Sequence, residues 1–263
     1  MLKTEIKKSK ERCYSYRKKL LDISQKVISV HIGGSFSSFE IMDFIFFKQK
    51  KKRDKFILSK GHAAIGLYIL LNKIGVIKKK DLQSYSSKSG ILGVHPDFGN
   101  PGIEASTGSL GHGLGISAGI AHGLILEKKK SKVYVLISDG ELQEGSTWEA
   151  LMMISNLKLN NIICFLDHNG SQSFGITKKY HPNFYPIKDK IKSFGWECYE
   201  CDGHDVNEIE KCIKKKKSKK PLMIIANTTK GMGVNFMEND PSWHYKHLTK
   251  EMYLKALDKL RVV

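Results

Sequence analysis

The sequence predicts an α/β fold in which a mostly parallel sheet is flanked by helices. Five short apolar runs, bounded by turn residues and separated by helix-compatible stretches, read as strands: 55–58, 133–137, 162–166, 196–199 and 222–226. Continuous apolar runs of this length are typical of parallel strands, because helices cover both faces of such a sheet. No internal repeat and no linker rich in Pro, Ser or Gly divides the chain. We therefore expect residues 1–263 to form one domain.

Three helices are predicted from spacing and capping residues. Residues 14–30 carry apolar side chains at helical spacing. Residues 147–159 are predicted to form the helix between the second and third strands. Residues 205–217 read as a further helix, with Asp205 as its N-cap and Glu208 as the capping-box partner.

Composition narrows the class of protein. A chain of 263 residues with 41% hydrophobic content suits one large domain with a substantial core. No apolar run approaches the ~18 residues of a membrane span, and the Lys-rich amino terminus lacks the apolar segment of a secretory signal. The 5 cysteines form no dense framework, which fits a reducing compartment. We expect a cytoplasmic protein that does not enter membranes.

The net charge of +18 raises the question of nucleic-acid binding. Only four of the 44 basic residues are Arg, namely Arg12, Arg17, Arg53 and Arg261. Arg supplies the bidentate contacts to phosphate and guanine, so its scarcity weakens this interpretation. Solvated lysine faces are the favoured explanation, and a catalytically inactive, basic nucleic-acid-binding protein is the alternative from a different class.

Two loops that follow predicted strands carry oxygen ligands. Asp139 and Gly140 follow the second strand, and Asn169, Gly170 and Ser171 follow the third. In a parallel sheet both loops emerge at the carboxyl edge, where open α/β sheets bind ligands. Carboxylate and amide oxygens suit Mg²⁺, which shares its ligand shell with substrate phosphates, and glycine allows the backbone to approach closely. The pair predicts a magnesium-diphosphate site.

This Asp-Gly and Asn arrangement resembles the fingerprint of thiamine-diphosphate enzymes, and other short sequence motifs narrow the resemblance to transketolases. Four motifs occur in the order found in that family: Ser59-Lys60-Gly61-His62-Ala63, Thr107-Gly108-Ser109-Leu110-Gly111-His112-Gly113, Asp139-Gly140-Glu141-Leu142-Gln143-Glu144-Gly145 and Lys230-Gly231-Met232-Gly233-Val234. The resemblance runs from about His31 to about His244. The chain looks like the separate N-terminal subunit of a split transketolase.

The resemblance implies thiamine diphosphate as cofactor, with Mg²⁺ or another divalent cation such as Ca²⁺ or Mn²⁺. Asp139, Asn169 and the backbone carbonyl of Ser171 would hold the metal. The residues implied in cofactor contact are His62, Gly108, Ser109, Leu110, Asp139, Gly140, Asn169 and His244.

Four histidines in loops are candidate catalytic residues: His31, His62, His95 and His244. Imidazole can orient hydroxyl groups and move protons near neutral pH, which suits the transfer of a carbon unit between sugars. By resemblance, His62 and His244 would contact cofactor or substrate, and His31 and His95 would contact the hydroxyl groups of the ketose donor.

Two acids follow Asp139, and the first to consider, Glu144, has two interpretations. Glu144, expected to be buried, can cap the helix that follows it. By resemblance it belongs to a carboxylate network that crosses the subunit interface, and this catalytic role is favoured. Glu141 is expected to be a simple loop acid, and His112 and Lys230 receive no role.

The family's ylide-generating glutamate lies on a different domain, for which this chain leaves no length. The resemblance therefore implies a C-terminal partner subunit that carries the pyrimidine-binding domain, with this chain as a homodimer within a heterotetramer that acts on sugar phosphates. Rivals of the same class are 1-deoxyxylulose-5-phosphate synthase and 2-oxoacid dehydrogenase components. A zinc site at Cys198, Cys201, His204 and Cys212 is disfavoured, because no second Cys-x-x-Cys pair accompanies it.

Overall fold

A five-stranded parallel sheet forms the centre of the protein, seen in a computed structural model that describes residues 3–173 and 175–263. Its strands are β1 (Lys55–Leu58), β2 (Val133–Ser138), β3 (Ile162–His168), β6 (Glu197–Asp202) and β7 (Leu222–Asn227). They are arranged in the order β1-β2-β3-β7-β6, and every neighbouring pair is parallel. A small antiparallel ribbon is made by β4 (Ser171–Gln172) and β5 (Gly175–Ile176). The predicted fold class is confirmed.

Helices flank the sheet on both sides. They are α1 (Lys3–Ser24), α2 (Gly33–Phe36), α3 (Phe39–Phe44), α4 (Ala64–Lys73), α5 (Lys79–Gln83), α6 (Gly113–Leu126), α7 (Gly145–Asn156), α8 (Thr177–Tyr180), α9 (Ile187–Ser193), α10 (Val206–Lys214) and α11 (Lys250–Lys259). In residues 3–173 and 175–263, no helix combines the length and the apolar character that a membrane crossing requires.

Side-chain alternation along the strands divides the core into two layers. In β2, Tyr134 and Leu136 face a layer that includes α1, α3, α4 and α10, whereas Val133, Val135 and Ile137 face a layer that includes α6, α7 and α9. All six residues of β2 are buried. Burial on both faces explains why the strands read as continuous apolar runs.

The strand predictions are confirmed with small changes at their ends. The prediction 55–58 matches β1, while β2, β3 and β7 each continue one or two residues beyond their predicted ends. β6 begins at Glu197 and continues to Asp202, because it pairs with β7 over its whole length. Trp196 lies outside the strand and donates its indole N–H to the carbonyl of Leu151 at 3.0 Å.

The prediction for the first helix is wrong at both ends. α1 begins at Lys3 and ends at Ser24, whereas residues 14–30 were expected to be helical. Its amino-terminal part is held by polar contacts that apolar spacing does not reveal, including the bidentate pair of Arg12 with Asp43. Val30 leaves the helix and pairs with Lys246 in an isolated bridge.

Two later helices also end earlier than expected. α7 covers Gly145–Asn156 instead of 147–159, and α10 covers Val206–Lys214 instead of 205–217. Asp205 is the N-cap of α10, as predicted, and accepts a bond from the amide of Asn207 at 2.8 Å. The capping-box prediction is wrong, because Glu208 instead accepts the amide N–H of Asp202 at 3.0 Å.

A buried ion pair connects the carboxyl ends of two strands. Lys60 follows β1, Asp167 lies in β3, and both side chains are 0% exposed. Lys60 also donates to the carbonyl of Gly34 at 2.9 Å, and Asp167 accepts bonds from Ser37 at 2.7 Å and from Thr228. Burial opposes ionisation of Asp167, but Lys60 and these hydroxyl donors outweigh it, so the pKa of Asp167 lies below its usual value. This pair fixes the loops above the sheet.

We predict that Lys60→Met lowers the free energy of unfolding by about 3–5 kcal/mol, because it leaves the carboxylate of Asp167 buried without its cation. Urea unfolding at pH 7 measures this change. Lys55→Met is the matched control. Lys55 lies in β1 and pairs with Glu104 at 2.9 Å, but both side chains are partly exposed, so the expected loss is about 1 kcal/mol or less.

The same pair gives a pH dependence of defined sign. The folded-state pKa of Asp167 is depressed. Its contribution to the free energy of unfolding is therefore fully present above the unfolded-state pKa, about 4, and is lost as pH falls through the folded-state pKa. The difference in the free energy of unfolding between the wild type and Lys60→Met should therefore shrink below about pH 4. Equal losses for Lys60→Met and Lys55→Met at pH 7 would contradict this account.

Candidate functional site

Four parallel strands end at one edge of the sheet, and the loops that follow them enclose a cleft. β1, β2, β3 and β7 lead into these loops, which carry His62, Gly140, Asn169 and Lys230 respectively. The cleft has a volume of about 280 Å³ and is lined by His31, Gly34, His62, His95, Gly108, Leu110, Ser138, Gly140, Gln143, Glu144, Asn169, Ser171, Gln172, Ser173, Lys230 and His244. Most of the residues singled out from the sequence therefore meet in one place.

Of the three predicted metal ligands, Asn169 and Ser171 line this cleft, and Asp139 is bonded to Gly170, which lies between them in the sequence. Asp139 is buried, and its carboxylate accepts the amide N–H of Gly140 at 3.0 Å and that of Gly170 at 2.6 Å. The side-chain oxygen of Asn169 accepts the amide N–H of Ser171 at 3.1 Å. The carboxylate of Asp139 thus ties the loop after β2 to the loop after β3.

The charges around Asp139 fit a divalent cation. Burial and the neighbouring carboxylate of Asp167 raise the pKa of Asp139. Asp167 is already paired with Lys60, whereas among the described residues no ion pair reaches Asp139. One carboxylate and one amide are too few ligands for an all-protein cage, but they suit Mg²⁺ that also binds phosphate oxygens. The residues present fit a magnesium-diphosphate group.

The zinc alternative finds no support in the described part of the chain. No group of three or more His, Cys, Asp or Glu side chains there could hold a metal ion. Cys198, Cys201 and Cys212 are buried free thiols. His204 is engaged elsewhere, since its Nδ1 bonds Glu40 at 2.9 Å and its Nε2 accepts the amide N–H of Thr229 at 2.9 Å.

The four predicted histidines form a cluster on one wall of the cleft. The ring centroid of His31 lies 5.8 Å from that of His62, 5.8 Å from that of His95 and 5.3 Å from that of His244. The rings of His62 and His244 are 5.1 Å apart. These histidines come from four separate segments of the chain, and the fold brings them close together.

Burial keeps three of these imidazoles neutral. Burial and then His244 lower the pKa of His31 to about 3, and burial and then Lys230 lower the pKa of His244 to about 4. Burial and then Lys60 hold the pKa of His62 well below its usual value. Nδ1 of His31 is buried and has no hydrogen-bond partner in the described structure. A neutral imidazole with a free ring nitrogen can bind a hydroxyl group of a ligand.

Lys230 places a cation in the cleft, a role that sequence reasoning did not assign. Its ammonium lies 3.3 Å from the carbonyl of Gln172 and 3.3 Å from Nδ1 of His244. Burial and then Lys60 lower the pKa of Lys230 to about 8, so the side chain is charged at pH 7 and readily loses its proton above pH 8. Lys230 lies in the loop after the fifth predicted strand, 222–226, and this position was the sequence feature that could have indicated its role.

The glycine-rich turn before α6 reaches the cleft with two of its three predicted residues. Gly108 and Leu110 line the cleft, whereas Ser109 is exposed and does not. Gly108 has a φ of +137°, and a Cβ there would lie 2.8 Å from the ring of His95. A Cβ on Gly61 would lie 2.5 Å from the amide nitrogen of Gly108. Gly61 is therefore required for the turn to pack against the loop after β1, and Gly108 is required for the turn to pack against His95.

The structure reverses the expected burial of two acids. Glu144, expected to be buried, is exposed at the rim of the cleft, and its side chain makes no capping bond to α7. Glu141, expected to be a loop acid, is 0% exposed and accepts bonds from Ser59 and from the amide of Gly111. The burial of Glu141 and Glu144 depends on contacts with loops that are distant in sequence, and the residue spacing within the motif 139–145 does not reveal these contacts.

Comparisons with known proteins agree with this geometry. Residues 10–259 match the family model described as "Transketolase, thiamine diphosphate binding domain". The chain is 35% identical to a subunit of the apulose-4-phosphate transketolase of Phocaeicola vulgatus, over 92% of this chain and 89% of that protein. It is 34% identical to the 6-deoxy-6-sulfo-D-fructose transketolase subunit SqwG of Clostridium sp., over 93% of each chain.

Solved transketolases share the fold. The Leishmania mexicana enzyme aligns with a TM-score of 0.88 and 25% identity, and the Campylobacter jejuni enzyme with a TM-score of 0.88 and 29% identity. Each alignment covers 95% of this chain but only 41% and 42% of those chains, respectively. The family match and the geometry of the cleft agree, and the chain belongs to the transketolase family and comprises its thiamine-diphosphate-binding domain.

Proposed function

We propose that this chain is the N-terminal subunit of a split transketolase. With thiamine diphosphate and Mg²⁺, and together with a separate C-terminal subunit, it transfers a two-carbon ketol unit from a ketose phosphate to an aldose phosphate. The observation that carries this proposal is the cleft, in which Asn169, Ser171, Lys230 and the four histidines converge next to the buried Asp139. Relatives named for apulose 4-phosphate or for 6-deoxy-6-sulfo-D-fructose indicate that the sugar varies within the family.

In this proposal the floor of the cleft binds the metal and the diphosphate. Asp139, Asn169 and the carbonyl of Ser171 hold Mg²⁺, or another divalent cation such as Ca²⁺ or Mn²⁺. Gly140 allows the backbone to approach the diphosphate, and Lys230 supplies a positive charge to it. Thiamine diphosphate, when bound, supplies the nucleophilic carbon and the electron sink for the transfer.

The upper part of the cleft binds the cofactor rings and the sugar. Leu110 and Gly108 border the rings, and His62 and His244 contact cofactor or substrate. His31 and His95 bind hydroxyl groups of the ketose donor. Because His31, His62 and His244 are neutral at pH 7, each can donate through one ring nitrogen and accept through the other. This arrangement suits them to hold sugar hydroxyls and to pass protons between them.

A C-terminal partner subunit completes the site. Relatives that are themselves named as transketolase subunits match this chain over most of their own length, whereas the chain spans about two fifths of the solved transketolases. Glu144 is exposed at the cleft rim, where a second chain can reach it. This exposure supports a carboxylate contact across an interface better than a capping role. The partner contributes the pyrimidine-binding domain.

We also propose that the chain forms a homodimer within a heterotetramer, through the outer face of α6. Gly115, Gly119 and Gly123 repeat every four residues along this helix, and a Cβ on any of them would meet nothing within 4 Å. Exposed apolar side chains lie on the same helix and on α7, including Ile116 and Met152. Glycine is unfavourable within a helix, so a close approach of a second backbone explains it better than the fold of one chain.

The alternatives from the sequence remain weaker. Other thiamine-diphosphate enzymes share the metal loops, but the cluster of four histidines favours sugar hydroxyls as ligands. A catalytically inactive nucleic-acid-binding protein would have no need of a charged, ordered cleft. The cytoplasmic location expected from the sequence stays a prediction, as does the single domain.

The direct test is a ketol-transfer assay with xylulose 5-phosphate, ribose 5-phosphate, Mg²⁺ and thiamine diphosphate. The chain alone and the chain mixed with a candidate C-terminal subunit are compared. We expect activity only in the mixture. Cofactor binding by the mixture without transfer would point to another thiamine-diphosphate reaction, and failure to bind the cofactor would revive the binding-protein alternative.

In that mixture, Asp139→Ala should reduce activity below about 1% of the wild type, because it removes a metal ligand. Circular dichroism should show that the chain still folds. Asp202→Ala is the matched control. Asp202 ends the strand β6 and accepts a backbone N–H from His204 at 2.8 Å, but it lies outside the cleft. Normal activity of Asp139→Ala would overturn the metal assignment.

The pKa of Lys230 gives a pH dependence for cofactor binding. Because this pKa is lowered to about 8, the free site loses its positive charge as pH rises through that value, and affinity for thiamine diphosphate should weaken there. Lys230→Met should raise the dissociation constant about tenfold at pH 7 and abolish the decline above pH 8. Isothermal titration from pH 6 to 9 measures both effects. The exposed Lys250→Met is the control, and indistinguishable pH profiles for the wild type and Lys230→Met would refute this role.

The homodimer proposal predicts that Gly119→Leu separates the copies without harming the fold. Leucine has open space at this position and a higher helix propensity than glycine, so thermal stability of the separated chain should not fall. Sedimentation velocity should show the loss of the dimer. Lys211→Leu adds the same side chain to the exposed face of α10 and should leave the dimer intact. A Gly119→Leu chain that still dimerises would place the interface elsewhere.

A further inference from the structure

We propose that Glu141 is a positioning residue that locks the turn at Gly108–Leu110 onto the metal-binding loop. This inference rests on the proposed function, because the turn would border the cofactor rings. Glu141 itself lies outside the cleft and would touch neither cofactor nor metal.

One carboxylate oxygen of Glu141 joins three loops. Glu141 is two residues beyond Asp139, in the short 3₁₀ helix Gly140–Gln143, and is fully buried. Its Oε1 accepts the hydroxyl of Ser59, from the loop after β1, and the amide N–H of Gly111 at 3.0 Å, from the turn before α6. The three loops that meet at this oxygen carry His62, Gly140 and Leu110 into the cleft.

The turn needs this contact at its far end. Thr107 anchors its start, because its hydroxyl donates to the carbonyl of Leu58 at 2.6 Å. At the other end, Gly111 is buried with a φ of +88°, and Glu141 accepts its N–H. Ser146 donates to the carbonyl of Gly111 at 3.0 Å but offers nothing to the N–H. Without Glu141, that N–H would be buried without an acceptor, and the turn would be free to shift.

Packing alone does not explain an acid at this place. Oε2 of Glu141 is buried and has no hydrogen-bond partner in the described structure, which is costly for a carboxyl group. The contacts of Oε1 go to Ser59, next to Lys60, and to Gly111, next to Leu110. The acid therefore acts on the loops that bear the site.

The test compares variants in the complex with the C-terminal subunit, with thiamine diphosphate and Mg²⁺ as the probe. Glu141→Ala removes the acceptor and should raise the dissociation constant for the cofactor about tenfold or more. Glu141→Gln keeps an acceptor oxygen and should stay within about threefold of the wild type. Glu127→Ala, at the exposed end of α6, is the control and should match the wild type.

Hydrogen exchange of the segment 107–113 gives an independent readout. Exchange should accelerate in Glu141→Ala and not in Glu141→Gln. If Glu141→Ala does not fold, Ser59→Ala removes one of the two donors and should weaken cofactor binding in the same direction by a smaller factor. Unchanged cofactor affinity in a folded Glu141→Ala complex, or equal losses in the alanine and glutamine variants, would overturn the proposal.

The two proposals fail in different ways. If the wild-type complex itself does not bind thiamine diphosphate, the proposed function fails and the cofactor part of this inference fails with it. The exchange data then still decide whether Glu141 holds the turn. If the wild type binds and exchange is the same in every variant, the role of Glu141 is wrong while the proposed function stands.

Discussion

The buried pair of Lys60 and Asp167 is the interaction on which the arrangement of the cleft depends. These residues are 107 positions apart. Lys60 follows β1 and Asp167 lies near the end of β3, and β2 separates these two strands in the sheet. Through Lys60 the pair binds the carbonyl of Gly34, and through Asp167 it binds Thr228, two residues before Lys230. Two unpaired charges in that position would be unstable, so the loops are held at a fixed distance above the sheet.

The same pair determines which charges remain for a ligand. Asp167 is neutralised by Lys60, whereas the donors to the nearby Asp139 within the described residues are backbone N–H groups. A divalent cation is the counter-charge that we propose for Asp139. The ammonium groups of Lys60 and Lys230 also help to keep the neighbouring imidazoles neutral, so the wall of the cleft offers hydrogen bonds in place of charge. The positions that we propose for metal and diphosphate, near Asp139, and for sugar hydroxyls, near the histidines, rest on this separation.

Much of the fold was predictable from the sequence, because parallel strands covered on both faces leave a simple signal. The runs at β1, β2, β3 and β7 were found nearly to the residue for this reason. α1 was misplaced, because ion pairs such as Arg12 with Asp43 stabilise a helix whose apolar spacing is weak in its first half. Motifs pointed to the histidines and to the loops that we propose to bind metal, and the structure brings these residues to one cleft. Lys60 with Asp167, and the exchanged burial of Glu141 and Glu144, depend on contacts between distant loops that local patterns do not encode.

The central claim is that the edge formed by the loops after β2 and β3 is a metal-diphosphate site. Crystals of the chain with its C-terminal subunit, grown with thiamine diphosphate and Mn²⁺, allow the metal to be located by anomalous scattering. We predict one manganese peak at about 2.0–2.2 Å from side-chain oxygens of Asp139 and Asn169, with the diphosphate completing its ligand shell. A manganese ion bound elsewhere, or thiamine diphosphate bound with no metal between Asp139 and Asn169, would contradict the account.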